Sequence, residues 1–246
     1  MNIWKLYLIL KYYPDKMNLY KETLESYILH HRNNNSPAND RVQQLTLLTS
    51  ILEENFKFDQ IISLETGASQ TWIDGMVGYY FASLSNKTGG NFYSVDLDEI
   101  TDNVIEAYKN IDPNLEINHH TQDSIEFLKN VPEIPNLVHL DSWNFDLMNP
   151  LPCALHGWRE FEAIEAKMPV GSIIVIDDNW FQGTILEWVY RQDNVITNST
   201  SIHINYPLLG KGAHIYQWVL SGDKNWKLLS TPIVGVNNKI IIQKTE

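Results

Sequence analysis

Four short apolar runs in this chain each close on an acidic or glycine-bearing cluster: Ile61-Ile62-Ser63-Leu64-Glu65-Thr66-Gly67, Phe92-Tyr93-Ser94-Val95-Asp96, Leu137-Val138-His139-Leu140-Asp141 and Ile173-Ile174-Val175-Ile176-Asp177-Asp178. Runs of this length, separated by longer segments with helical periodicity, read as strands of a parallel sheet. An open α/β sheet binds small molecules at the carboxyl ends of such strands, so the polar residues that close the runs fall where a ligand would sit. Glycine after the first run lets the backbone approach a ligand, and an acid after the second can hydrogen-bond a ribose. The acids after the third and fourth runs are hard oxygen donors of the kind that hold a divalent metal.

The 246 residues, 43% hydrophobic and with a mean hydropathy of -0.26, describe one globular α/β domain with an N-terminal extension rather than two independent domains. Residues 1–40 read as a helical extension and residues 41–246 as the body. A formal net charge of -12 leaves no basic face for a nucleic-acid backbone, which demotes DNA and RNA as partners and fits a neutral or cationic small molecule better. The single cysteine, Cys153, excludes an intramolecular disulfide and argues for a reducing, cytoplasmic setting. The opening apolar stretch from Ile3 to Leu10 is too short to span a membrane and leads into no small-residue cleavage pattern, so no membrane role is expected.

Val42, Leu45, Leu48 and Leu52 recur at helical spacing and predict a helix over 39–54 that leads into the first strand. A second helical stretch carries Trp72, Met76, Tyr80 and Leu84 and stops at Gly89-Gly90. Helices over 100–110 and 124–129 alternate with strands over 115–120 and 136–141. Leu155, Trp158, Phe161 and Ile164 mark a helix ahead of Pro169, and the fifth strand covers 172–177. Beyond it the pattern predicts a helix over 187–190 and strands near 201–205, 213–220, 226–229 and 239–243, the last of them closing the sheet as an antiparallel hairpin.

The segment Glu65-Thr66-Gly67-Ala68-Ser69 resembles the first motif of class I S-adenosylmethionine-dependent methyltransferases, with Ser69 and Thr71 where further small residues are usual. The resemblance implies that Glu65 holds the methionine ammonium and that Gly67 and Ser69 admit the cofactor close to the backbone. It also implies that Gln122-Asp123-Ser124 contacts adenine, although Asp123 suits a helix N-cap equally well. Asp96 ends its strand where a carboxylate can accept from both ribose hydroxyls, a feature shared with dinucleotide folds.

Asp141 after the fourth strand and Asp177-Asp178 after the fifth would bring three carboxylates to adjacent strand ends, a donor set that suits Mg²⁺. Like charges so placed need a counter-cation or shifted pKa values. The pattern resembles the metal-dependent O-methyltransferases of the catechol and sugar types, which implies Asp141, Asp177 and Asp178 as metal ligands. Catechol-type enzymes carry Asp-x-Trp-Lys after the fourth strand and use that lysine as the base. Here Asp141-Ser142-Trp143-Asn144 ends in an amide, which cannot take a proton. His156 is then the candidate base, beside Asp141, while His139 is expected on the opposite face of its strand. Trp143, Trp158, Trp180 and Phe181 lie close to these loops and are candidates to stack on an acceptor ring.

These features imply a Rossmann-like methyltransferase fold, a mostly parallel seven-stranded sheet with an antiparallel C-terminal hairpin. The implied activity is S-adenosylmethionine-dependent O-methylation of a sugar, glycan or related small molecule, assisted by a divalent metal such as Mg²⁺. The resemblance covers residues 58–220; in such families the extension is a lid over the acceptor pocket or a dimer arm, which leaves a homo-oligomer open. Two other readings stand beside it. One is an NAD-dependent or nucleotide-sugar enzyme, for which no Gly-x-Gly-x-x-Gly opens the first helix. The other is a catalytically inactive methyltransferase fold serving as a glycan-binding or scaffold module.

Overall fold

The computed structural model describes residues 14–33, 39–68, 76–99, 102–192, 195–222, 225–231 and 233–246. Two helices come first, α1 (Pro14–Asn33) and α2 (Asn39–Asn55). Strands and helices then alternate: β1 (Ser63–Thr66), α3 (Val77–Lys87), β2 (Phe92–Asp96), α4 (Asp102–Ile111), β3 (Asn118–Thr121), α5 (Ser124–Lys129), β4 (Leu137–Leu140), α6 (Leu151–Ile164) and β5 (Ile173–Phe181). The remainder is β6 (Ile185–Gln192), β7 (Val195–His203), β8 (Leu208–Gly210), α7 (Ala213–Leu220), β9 (Trp226–Leu228) and β10 (Asn238–Lys244).

The main sheet runs in the order β3-β2-β1-β4-β5-β10-β9, with β8 paired to the end of β5. Strands β1 to β5 are mutually parallel, and β10 runs antiparallel to both β5 and β9. This is the mostly parallel α/β sheet with antiparallel C-terminal strands that the sequence leads one to expect, with β8 added beside the seven-stranded path. β1 lies between β2 and β4, so the connections leaving it turn first to one side and then to the other. The carboxyl ends of β1 and β4 therefore flank the crevice where such sheets bind ligands.

Period-two alternation divides the core. Leu137, Ile173, Val175 and Ile241 face α2 and α3, packing with Leu45, Leu48, Leu52, Tyr80 and Phe81. Val138, Leu140, Ile174, Ile176, Ile240 and Ile242 face α6 and α7, with Phe161, Ile164, Ile215 and Val219. Helix α1 lies on the first of these layers: Tyr20, Thr23 and Tyr27 are buried, and the Ser26 and Tyr79 hydroxyls are 3.0 Å apart.

Two expected elements change type. Residues 213–220 form helix α7 rather than a strand: the β-branched and aromatic residues there favour extension on propensity, but Ile215 and Val219, one helical turn apart, share the apolar layer. Residues 187–190 belong to β6 rather than a helix, because β6 and β7 pair in a long antiparallel ladder from Ile185↔His203 to Gln192↔Val195. β5 also outruns its expected end at Asp177, since Asn179–Phe181 pairs with β8. No helix among the described residues is long and apolar enough to cross a membrane.

The burial of α1 makes a prediction. Tyr27 is fully buried against the α2–α3 layer, so Tyr27→Ala should cost about 3–5 kcal/mol, read as a lower urea midpoint at unchanged slope. A change below about 0.5 kcal/mol would mean that α1 is not part of the core.

Candidate functional site

A cavity of about 560 Å³ opens at the carboxyl ends of the parallel strands, bordered by Gly67, Asp96, Asp123, Ser124, Asp141 and His156. Its floor depends on one glycine. Gly67 has φ +78°, and a Cβ there would lie 2.5 Å from the Asp141 carbonyl oxygen. The turn after β1 thus packs directly on the end of β4 and tolerates no side chain. The Gly67 N–H donates to the Val95 carbonyl at 2.9 Å, and the Ala68 N–H donates to Asp96 Oδ2 at 2.8 Å. Asp96 also accepts from the Asp98 N–H at 3.1 Å, so it organises two loops while bordering the cavity.

The remaining expected cofactor residues divide between wall and interior. Asp123 caps α5 by accepting from the Glu126 N–H at 3.0 Å, and both it and Ser124 line the cavity, so the two readings of Asp123 coexist. Ser69 lies outside the described residues. Glu65 is buried, and accepts from the Ser94 hydroxyl at 2.9 Å. Burial pushes its carboxyl up to about 8.

The three aspartates expected to share a metal are arranged differently. Consecutive strand residues point to opposite faces. Asp177 accordingly turns inward, where it pairs with Arg41 of α2 and, at 2.7 Å, with Lys239 of β10. Its other oxygen accepts from the Asp178 N–H at 2.8 Å. Burial alone would raise it, but Lys239 and Arg41 hold Asp177 well below the usual carboxylate range. Asp178, with φ +52°, turns to the cavity and pairs with Lys211 at 3.1 Å. Lys211 also meets Asp141 Oδ1 at 2.5 Å and the Asp141 carbonyl at 2.8 Å. Burial pushes the Asp141 carboxyl up, against the pull of Lys211.

A divalent ion does not fit this donor set. His139, Asp141 and Asp177 each offer a ligand atom within 4.8 Å of the others. The Lys239 ammonium already stands among them, 3.2 Å from His139 Nε2 and 2.7 Å from Asp177. A +2 ion about 4 Å from one such ammonium meets a repulsion of roughly 8 kcal/mol at an effective dielectric near 20. His139 shares this inner side with Asp177 instead of pointing away; residues 139 and 141 are two apart, and alternation returns to the same face. Burial, then Lys239, pushes its imidazole down to about 4, so it is neutral at pH 7.

His156 borders the cavity on α6. Its Nε2 lies 3.1 Å from the Ser124 hydroxyl and 3.5 Å from Glu160, which in turn accepts from Ser142 at 2.6 Å. Trp143 packs on the imidazole, ring centroids 5.2 Å apart, and is half-exposed. Of the four aromatics expected near the acceptor, only Trp143 lines the cavity. Trp158 packs with Phe161 and Trp218, Phe181 with Tyr216, and Trp180 with Phe145.

Arg41, Lys211 and Lys239 are the residues that the sequence reading passed over. Lys239 sits in an apolar run and Arg41 on a helix, with no local sign of their partners. Lys211 did carry a signal, a lysine between two glycines: at Gly210, φ +133°, a Cβ would collide with the Asp178 carbonyl.

No protein-family model matches the chain, and no curated protein matches its sequence. Among solved structures it is similar in fold to an rRNA methylase from Streptococcus thermophilus, at 13% identity over 80% of this chain and 93% of that one, with a TM-score of 0.46. Two others are DesVI from Streptomyces venezuelae (9%, 86% and 94%, 0.46) and the SAH-bound methyltransferase PaMTH1 from Podospora anserina (12%, 90% and 88%, 0.48). At 9–13% identity none of them transfers a substrate or reaction to this chain.

Glu65 makes the site measurable without any ligand. Its folded-state pKa is raised above the unfolded value, so its contribution favours the fold fully below about 4.5 and is lost as pH rises through about 8. Glu65→Gln cannot ionise and should match the wild type at pH 4.5 or below yet be about 4 kcal/mol more stable at pH 8. Equal denaturant midpoints at both pH values would contradict the buried placement.

Proposed function

We propose that this chain is an S-adenosylmethionine-dependent methyltransferase acting on a hydroxyl of a sugar, glycan or related small molecule. The observation that supports this most is the meeting, at the switch point of the sheet, of a left-handed glycine turn, a carboxylate at the end of the next strand and a capped polar turn after the third. Gly67 lets a ligand approach the backbone, Asp96 has lone pairs free for ribose hydroxyls, and Asp123 and Ser124 border the place for a base. Glu65 would hold the ammonium, and a cation there would also relieve the cost of its ionisation. When bound, S-adenosylmethionine supplies an activated methyl group.

The chain's own part in the reaction is to bind the acceptor, orient it and receive its proton. The end of the cavity near Trp143 offers an exposed aromatic face to a ring. His156, beside Ser124 and Glu160, would take the hydroxyl proton, and Asp141 borders the same cavity with one oxygen on Lys211. Proximity and orientation carry most of such a transfer, which suits a site built from short, mutually braced loops.

Calorimetric titration with S-adenosylhomocysteine, and with NAD in parallel, tests the reading. It predicts binding of the first alone, in the micromolar range typical of cofactor sites, and a loss of at least about tenfold on Asp96→Ala. Binding of NAD alone, or of neither, would contradict it. Once an acceptor is found, His156→Asn should lower kcat by about 100-fold or more with little change in KM; unchanged kcat would remove His156 from the mechanism.

A further inference from the structure

We propose that the Lys211 ammonium takes the place of the divalent cation, so that this site is built to work without a metal. The inference rests on the methyltransferase reading only for what the site is for; the charge arrangement stands by itself. Lys211 Nζ has three N–H groups and three oxygen partners, Asp141 Oδ1 at 2.5 Å, the Asp141 carbonyl at 2.8 Å and Asp178 Oδ2 at 3.1 Å. Those oxygens come from the residue after β4 and from within β5, where the family resemblance implies an ion.

The lysine is held there by the fold. Its own N–H donates to the Asp178 carbonyl at 3.2 Å, and the following Gly212 N–H donates to Asn179 Oδ1 at 2.7 Å. The three carboxylates of Asp141, Asp177 and Asp178 are matched by three cationic side chains, Arg41, Lys211 and Lys239, each within ion-pair distance of at least one of them. With all three of its N–H groups engaged by Asp141 and Asp178, the ammonium serves as a fixed cation and does not stand in for the missing lysine base. It is a positioning residue: the Asp141 carbonyl it grips is the atom on which Gly67 packs, so Lys211 braces the cofactor turn through the end of β4.

Electron paramagnetic resonance of Mn²⁺ titrated into the full chain, with no cofactor present, tests this separately from cofactor binding. The wild type should show no site tighter than about 1 mM, and its affinity for S-adenosylhomocysteine should be the same in EDTA as in Mg²⁺. Lys211→Ala frees three oxygens and should gain Mn²⁺ affinity by at least about tenfold, a gain removed again by adding Asp178→Asn. One tight Mn²⁺ per wild-type chain, lost on Asp141→Asn, would overturn the proposal, as would a folded Lys211→Ala variant that gains nothing. If that variant does not fold, Lys211→Gln replaces it, and the wild-type titration decides in either case. Failure to bind S-adenosylhomocysteine would count against the functional reading and leave the Mn²⁺ result to be judged on its own.

Discussion

A buried carboxylate without partners is among the most costly things a fold can contain, and Asp177 is fully buried. It is tolerated because Arg41 from α2, Lys239 from β10 and the neighbouring backbone N–H of Asp178 converge on it. This one group therefore pins the second helix and the antiparallel last strand to the middle of β5. Removing a single partner from such a cluster costs about 3–5 kcal/mol, since a charge is then left buried and unpaired. His139 completes the enclosure, stacked on Phe81 with centroids 5.2 Å apart and held neutral.

The position of Asp177 fixes what happens one residue later. Asp178 must face the opposite way, and its left-handed backbone turns β5 toward β8 and presents its carboxylate to the cavity. The strand continues because Asn179 donates to the carbonyls of Ile176 and Asp177 and accepts from Gly212. That contact seats Lys211 between Asp178 and Asp141, and Asp141 in turn abuts Gly67. A chain of contacts thus runs from the core charge cluster to the glycine turn at the cavity floor. Substitutions along it act on the site without touching a ligand.

Most of the sheet was legible because four of its five parallel strands, β1, β2, β4 and β5, announce themselves as apolar runs, whereas β3 is the polar Asn118–Thr121. Gly67, Asp96, Asp123, Ser124, Asp141 and His156, distant in sequence, all border one cavity. What was not legible is the chemistry that depends on partners distant in sequence. The ion pair between Arg41 and Asp177 spans 136 residues, and that between Lys211 and Asp141 spans 70. The cations that pair with the three neighbouring acids come from a helix, a short turn and the last strand, and none of them lies near the acids in sequence. Residues 213–220 show the complementary limit, where strand-favouring residues take a helix because burial of Ile215 and Val219 decides.

The most direct measurement is a crystal structure of the chain grown with S-adenosylhomocysteine and excess Mn²⁺, with data collected for anomalous scattering. The charge-balanced site predicts ribose density on Asp96, the Lys211 ammonium between Asp141 and Asp178, and no anomalous peak there. A manganese peak between those carboxylates, with Lys211 swung away, would contradict it.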